Sequence, residues 1–97
     1  MSFEPLITSL PQTMLRLPAV KSSSGLSRSS LYARISQGLW PRPVSLGARA
    51  VGWPLSEVVA INAARIAGKS NEEVRQLVAE LEAARKNGPI YNQTLTT

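Results

Sequence analysis

Glycine and proline at Gly25, Gly38, Pro41, Pro43 and Gly47 cut the middle of this chain into pieces too short for a long helix or a broad sheet. What those pieces can form is narrow. Pro18 is tolerated in a first helical turn, so a short helix can start there, with Leu17 and Val20 as its apolar contacts. The run Ser22-Ser23-Ser24-Gly25 has poor helix propensity and ends on a glycine suited to a left-handed C-terminal turn. Ser27 is placed to cap a second helix that runs to about Gln37 and is stopped by Gly38. Leu31 and Ile35, four residues apart, give that helix one apolar stripe, and Leu26 packs just ahead of the cap. Arg28, Ser29, Tyr32, Ala33 and Ser36 then fall largely on its other faces. Two short helices across a tight glycine turn predict a helix-turn-helix, whose second helix is the natural groove reader.

Pro41 and Pro43 forbid helix in the segment after Gly38, while Val44, Leu46, Ala50 and Val51 suit two short strands. Gly47 lies between them, where a hairpin needs positive φ, and Arg49 sits at or beside the turn. The expectation is a wing beside the helix-turn-helix, ended by Trp53 as a core anchor. Trp40 and Trp53 read as core rather than as base-stacking platforms, because each adjoins apolar strand residues. A third helix is expected from Leu55 or Ser56 to Ala67, with Leu55, Val58, Val59, Asn62 and Ile66 as its stripe and Gly68 as its stop. The fourth helix has the clearest signals. Ser70 with Glu73 makes a capping box, Val74, Leu77, Val78 and Leu81 form a stripe, and Arg85 and Lys86 suit the negative end before Asn87-Gly88-Pro89. The fold class expected is mostly α with a small β-hairpin wing. Residues 1–13 read as a flexible leader, 14–67 as the winged helix-turn-helix, 70–87 as a C-terminal amphipathic helix and 88–97 as a tail.

A chain of 97 residues supports one compact domain, burying somewhat more than about 60% of its unfolded surface. Cysteine and histidine are both absent, which removes disulfides, thiolate chemistry, and the commonest general base and metal ligand. No paired carboxylates, catalytic triad or metal cluster can be assembled, so an enzyme is not expected, nor a cofactor, metal or small-molecule ligand. "AGKS" at residues 67–70 ends like a phosphate-binding loop, but the earlier glycine that such a loop requires is Ala63, and a helix precedes it. Glu4 stands where a signal peptide wants positive charge, and the apolar runs fall far short of the roughly 20 residues that span a bilayer. The expectation is a soluble cytoplasmic protein without a membrane partner. Asn92-Gln93-Thr94, a glycosylation sequon, then has no use.

The charge is unevenly placed. Net charge is +5, and residues 5–56 hold Arg16, Lys21, Arg28, Arg34, Arg42 and Arg49 with no acid at all. From Glu57 to Lys86, acids and bases balance. A basic surface can serve solubility alone, but such one-sided segregation marks a surface for phosphates. Nucleic acid is the leading partner, and for a helix that reads grooves that is double-stranded DNA.

The stretches "GLSRSSLYARI", "PRPVSLGARAVGW" and "SEV" resemble the AlpA-like phage and prophage regulators, within the excisionase-type, MerR-like winged helix-turn-helix proteins. The resemblance covers about residues 14–67. It implies a small DNA-binding regulator that activates an integrase gene or biases recombination toward excision. It places the second helix in the major groove, with Arg28, Ser29, Tyr32 and Ala33 facing it, and the wing with Arg49 in the neighbouring minor groove. Ser45 and Ala33 stand where the family often has a basic residue, and the segment after Val59 lacks a common aromatic. The helix from Ser70 to Lys86 lies beyond the usual family core.

Each candidate has a plainer reading beside it. Arg28 at the first turn can reach a phosphate or fork onto a guanine edge, or it is a solvated cap arginine. Ser29 and Ser30 offer hydroxyls to phosphates or merely begin a helix. Tyr32 lies against the DNA backbone or closes the core. Arg34 contacts DNA or pairs with Glu57 or another acid. Arg42, stiffened between two prolines, loses little entropy in meeting a phosphate. Arg49 is the expected minor-groove or backbone contact from the wing, and Arg16 and Lys21 add general phosphate attraction. The stripe Val74, Leu77, Val78, Leu81 is either a self-association surface on DNA or packing on its own domain. A second function class is open on the same residues: a protein-binding adaptor or anti-repressor acting through the fourth helix. A membrane-surface role needs a basic amphipathic helix, whereas the best amphipathic helix here is charge-balanced.

Overall fold

The computed structural model describes residues 13–86. The chain runs β1 (Met14–Leu15), α1 (Leu17–Ser24), α2 (Arg28–Ser36), β2 (Val44–Gly47), β3 (Ala50–Pro54), α3 (Leu55–Ile66) and α4 (Asn71–Lys86). This is a mostly helical winged helix-turn-helix with an added C-terminal helix. The leader up to residue 12, the Asn87-Gly88-Pro89 stop, the sequon and the rest of the tail lie outside the described residues.

Local chemistry explains the helix-turn-helix. Gly25 adopts φ 74 and donates its N–H to the Lys21 carbonyl, ending α1 in a left-handed cap. The buried Ser24 hydroxyl accepts the Leu26 N–H at 3.2 Å and so braces the turn. Ser27 then caps α2 by accepting the Ser30 N–H at 3.1 Å. α1 begins at Leu17, with Pro18 in its first turn.

The sheet has the order β1-β3-β2, all antiparallel. Met14 lies opposite Pro54 and Leu15 opposite Trp53, and the Leu55 N–H donates to the Thr13 carbonyl at 2.7 Å beyond them. Gly52 sits on the central strand, where a Cβ would come within 2.9 Å of the Leu15 carbonyl oxygen and 2.8 Å of Leu46 Cδ1. Only glycine lets β1, β3 and the Leu46 side chain approach so closely. The hairpin turn has the expected positive φ at Gly47 and Arg49 in the turn, but Gly47 ends β2 rather than lying between the strands. Gly47 pairs with Ala50, so Ala48 and Arg49 form the turn, and Arg49 itself takes the left-handed conformation at φ 66. Gly47 carries φ 145 at the strand end.

The four helices, β1 and β3 share one core, to which β2 adds no residue. Val20, Leu31, Trp40, Trp53, Val58 and Ile61 are each at most 2% exposed. The Trp53 indole N–H donates to the Pro41 carbonyl at 2.8 Å, so the buried ring is satisfied by the chain entering the wing. In α3 the buried face is Glu57, Val58, Ile61 and Ala64, whereas Val59 is 57% and Ile66 86% exposed. The expected stripe through Val59 and Ile66 is therefore corrected. Ile61 lies two residues on from Val59, about 200° around the helix, and it points into the core instead. Asn62, expected as a polar lapse in an apolar face, lies at the edge and donates to the Ser23 carbonyl at 3.0 Å.

The capping box that starts α4 is formed in both directions. Glu73 N–H donates to Ser70 Oγ at 3.2 Å, and Ser70 N–H donates to Glu73 Oε1 at 2.9 Å. Val74 and Val78 are buried in the core, with Leu77 and Leu81 packed against it. The apolar stripe of α4 thus meets its own domain.

Candidate nucleic-acid interface

In α2, Arg28, Ser29, Ser30 and Ala33 are exposed, with Tyr32 and Arg34 half-buried at the edges. The serine hydroxyls cluster at the helix start: Ser27 Oγ lies 3.0 Å from Ser30 Oγ and 3.4 Å from Ser29 Oγ. The Arg28 guanidinium lies over the Tyr32 ring, 5.4 Å from its centroid. Tyr32 in turn meets Trp53 edge-on, with centroids 6.4 Å apart and planes at 71°. Tyr32 closes the core with one side of its ring and steadies an exposed arginine with another.

On the wing, Arg49 is exposed at the tip of the hairpin. Arg16, just after β1, donates from Nε to the Val51 carbonyl at 3.1 Å, which anchors its guanidinium to the wing strand. Among the described residues the ion pairs are Arg42–Glu82, Arg75–Glu72 and Arg85–Glu57. Arg16, Lys21, Arg28, Arg34 and Arg49 are in none of them, so this half keeps its positive field.

Two candidate cations stand differently from the rest. Glu57, one suggested partner of Arg34, is taken by Arg85 at 2.6 Å. Arg34 instead lies near Arg65, whose pKa is lowered first by burial and then by the Arg34 charge. Arg42 is gripped by Glu82: its backbone N–H donates to Oε2 at 2.7 Å and its guanidinium to Oε1 at 3.1 Å. Burial pushes the Glu82 carboxyl up, but the N–H and guanidinium of Arg42 outweigh it and hold the group below its ordinary value.

The residues that hold the reading helix in place come from far along the chain. Arg65 donates to the Ser24 carbonyl at 2.8 Å and Asn62 to that of Ser23 at 3.0 Å, closing the C-terminal end of α1. Arg75 Nε donates to the Gln37 carbonyl at 2.9 Å and does the same for α2. Cations at carbonyl ends of helices also complement the helix dipole. Nothing local in the sequence signals these contacts, since the partners lie 38 to 41 positions apart.

Among the described residues no group of three or more Asp and Glu side chains could hold a metal ion, and no helix is long and apolar enough to cross a membrane. A family model described as the prophage CP4-57 regulatory protein (AlpA) matches residues 13–61, which span β1, the helix-turn-helix, the wing and the first half of α3. An uncharacterized protein, ORF88, of Enterobacteria phage P4 is 46% identical over 65 residues, covering 67% of this chain and 74% of that protein.

Proposed function

The chain belongs to the AlpA family of prophage regulatory proteins, and from that premise we propose that it is a sequence-specific DNA-binding transcription regulator of a phage or mobile element. The observation that carries the reading is the face shared by α2 and the wing. It is built from a stretch without any acid, and it holds Arg28 and Arg49 outside every ion pair of the described residues.

In this reading α2 enters the major groove. Arg28 meets a phosphate or the O6 and N7 of a guanine, a contact worth about 1–3 kcal/mol of discrimination when bidentate. Ser29, Ser30 and Arg34 meet phosphates along the groove walls, and Ala33 leaves room for close approach. Arg49 reaches from the wing into the neighbouring minor groove or onto its backbone. Arg16 and Lys21 add sequence-independent attraction.

A single module of this kind covers about 600–1,000 Å² of DNA-facing surface, which gives modest affinity alone. Repeated sites along the DNA, bent so that several copies bind together, supply the remainder. Activation of an integrase gene and a role in excision share that mechanism, because both use binding energy to offset DNA deformation. The adaptor reading draws no support from α4, whose apolar stripe is turned onto its own core.

The test is a gel-shift titration against the DNA upstream of this gene and of the nearest integrase gene, at two salt concentrations, with random competitor. Discrete shifts that survive competitor are expected, with a log–log salt slope of about −0.9 for each phosphate contact. Absence of any shift at low salt would send the search to a protein partner.

A further inference from the structure

Of the six cations in the acid-free stretch, Arg16, Lys21, Arg28, Arg34, Arg42 and Arg49, Arg42 alone has a carboxylate on it among the described residues. The contact is lopsided. The Arg42 side chain is 74% exposed while that of Glu82 is 19% exposed, so the guanidinium is at the surface and the carboxylate is built in.

The backbone at Arg42 is fixed on three counts. The preceding Pro41 carbonyl accepts the Trp53 indole N–H at 2.8 Å, and the Arg42 N–H is held by Glu82 at 2.7 Å. The Arg42 carbonyl accepts from Arg85 Nη2, also at 2.7 Å. Pro41 and Pro43 stiffen the segment further. The N–H and the guanidinium of one residue thus grip both oxygens of a planar anion at the entrance to the wing. A phosphate offers oxygens in the same way.

We propose that Arg42 is a phosphate contact held in reserve: Glu82 occupies the guanidinium in the free protein and thereby restrains the affinity for DNA. The inference rests on the DNA-binding reading above and adds a regulator of the same surface. The guanidinium side of the pair is open to water, where an ion pair contributes only about 0–1 kcal/mol, so a DNA phosphate can compete for it once the Glu82 charge is removed. If the guanidinium leaves while that charge is present, Glu82 keeps the Arg42 N–H and remains near Arg85, so the carboxylate is not stranded. Its negative charge persists at the edge of the interface, and the released contact is therefore only partly used.

The experiment measures binding of a labelled random-sequence duplex by fluorescence anisotropy across a salt series, for the full chain and for Arg42→Ala, Glu82→Gln and the double variant. Glutamine keeps an oxygen for the Arg42 N–H and removes the charge. The expected results are a change under about twofold for Arg42→Ala alone and a salt slope steeper by about 0.9 for Glu82→Gln. Affinity of Glu82→Gln should rise about fivefold at 0.15 M salt, the gain from one added counterion released, and the double variant should lose that gain. An unchanged slope in Glu82→Gln overturns the proposal. So does an equal loss from Arg42→Ala in both backgrounds, which would show that Arg42 is already engaged on DNA. A gain that survives in the double variant overturns it as well, because it would come from charge alone. If even the unaltered chain shows no salt-dependent binding, the DNA-binding reading falls instead. Should Glu82→Gln melt early, the Arg42 Nε–H NMR signal of the unaltered chain answers the same question. It stays put on DNA addition if Glu82 holds the guanidinium back, and a signal that moves overturns the idea, because Arg42 would already be engaged on DNA.

Discussion

Arg85 and Glu57 face one another between α4 and α3 through two hydrogen bonds, Nη2 to Oε1 at 2.6 Å and Nε to Oε2 at 2.8 Å. Glu57 is only 4% exposed, and the same Arg85 Nη2 reaches the Arg42 carbonyl at 2.7 Å. The end of α4, the start of α3 and the approach to the wing therefore converge on one guanidinium. Its pKa is raised chiefly by the hydrogen bonds it donates to Glu57, which outweigh the opposing effect of burial.

Arg85→Ala removes the partner and leaves a buried carboxylate uncompensated. The expected loss is about 3 kcal/mol of unfolding free energy, in the range found when one member of a buried pair is deleted. Glu57→Gln keeps the shape and one acceptor and should lose less. Urea unfolding at neutral pH measures both. A loss under about 1 kcal/mol for Arg85→Ala would mean that water reaches Glu57 once the arginine is gone.

Acid should weaken the fold through Glu82 and Glu73. Burial raises the Glu82 pKa, but the N–H and guanidinium of Arg42 lower it by more, and the hydrogen bonds from Ser70, then the charge of Lys69, lower that of Glu73. A folded-state pKa below the unfolded one means that the unfolded chain binds more protons between the two values. That stability is complete above the unfolded value of about 4.3 and is lost as pH falls through the folded values. Circular-dichroism melts at successive pH values below neutrality should show a decline confined to that acidic window, shallower in Glu82→Gln.

The helix-turn-helix is readable in the sequence because its signals are local. Gly25 and Ser27 act within four residues of themselves, through the Lys21 carbonyl and the Ser30 N–H, and Ser70 with Glu73 does the same for α4. The α3 face misleads because Glu57 looks like a surface acid, and what permits its burial is an arginine 28 positions away. Once Glu57 turns inward, Ile61 and Ala64 go with it and Val59 and Ile66 must turn out. β1 escapes notice since two residues show no alternation. Of the candidate site, Arg28 and Arg49 stand where the sequence reading puts them, as exposed residues of the helix and the wing tip. The grip of Glu82 on Arg42, 40 positions apart, is not legible at all.

Tyr32 should act on sequence preference through Arg28. Its ring lies under the guanidinium and against Trp53, so it restricts where the arginine can point. Tyr32→Phe keeps the ring and should keep the ratio of specific to random DNA binding. Tyr32→Leu loses a contact of about 0.5–1 kcal/mol and should lower the ratio severalfold, as Arg28→Ala does more strongly. Competition anisotropy with operator and random duplexes gives the ratio. Equal ratios for Phe and Leu would assign Tyr32 to the core alone.

Arg49 sets stability against binding at the wing tip. A side chain held at φ 66 costs about 1–2 kcal/mol relative to glycine in the folded state. Glycine also loosens the unfolded chain, which takes back about 0.4–1 kcal/mol. Arg49→Gly should therefore melt at or slightly above the temperature of the unaltered chain while binding all DNA more weakly. The salt slope should shrink by about 0.9, one phosphate contact fewer, with the specific-to-random ratio retained. Arg49→Ala separates the two effects, since it loses the same contact but keeps the strained backbone. If Arg49→Gly binds as tightly as the unaltered chain, the wing tip does not touch DNA, and the unfavourable backbone at Arg49 has some other cause.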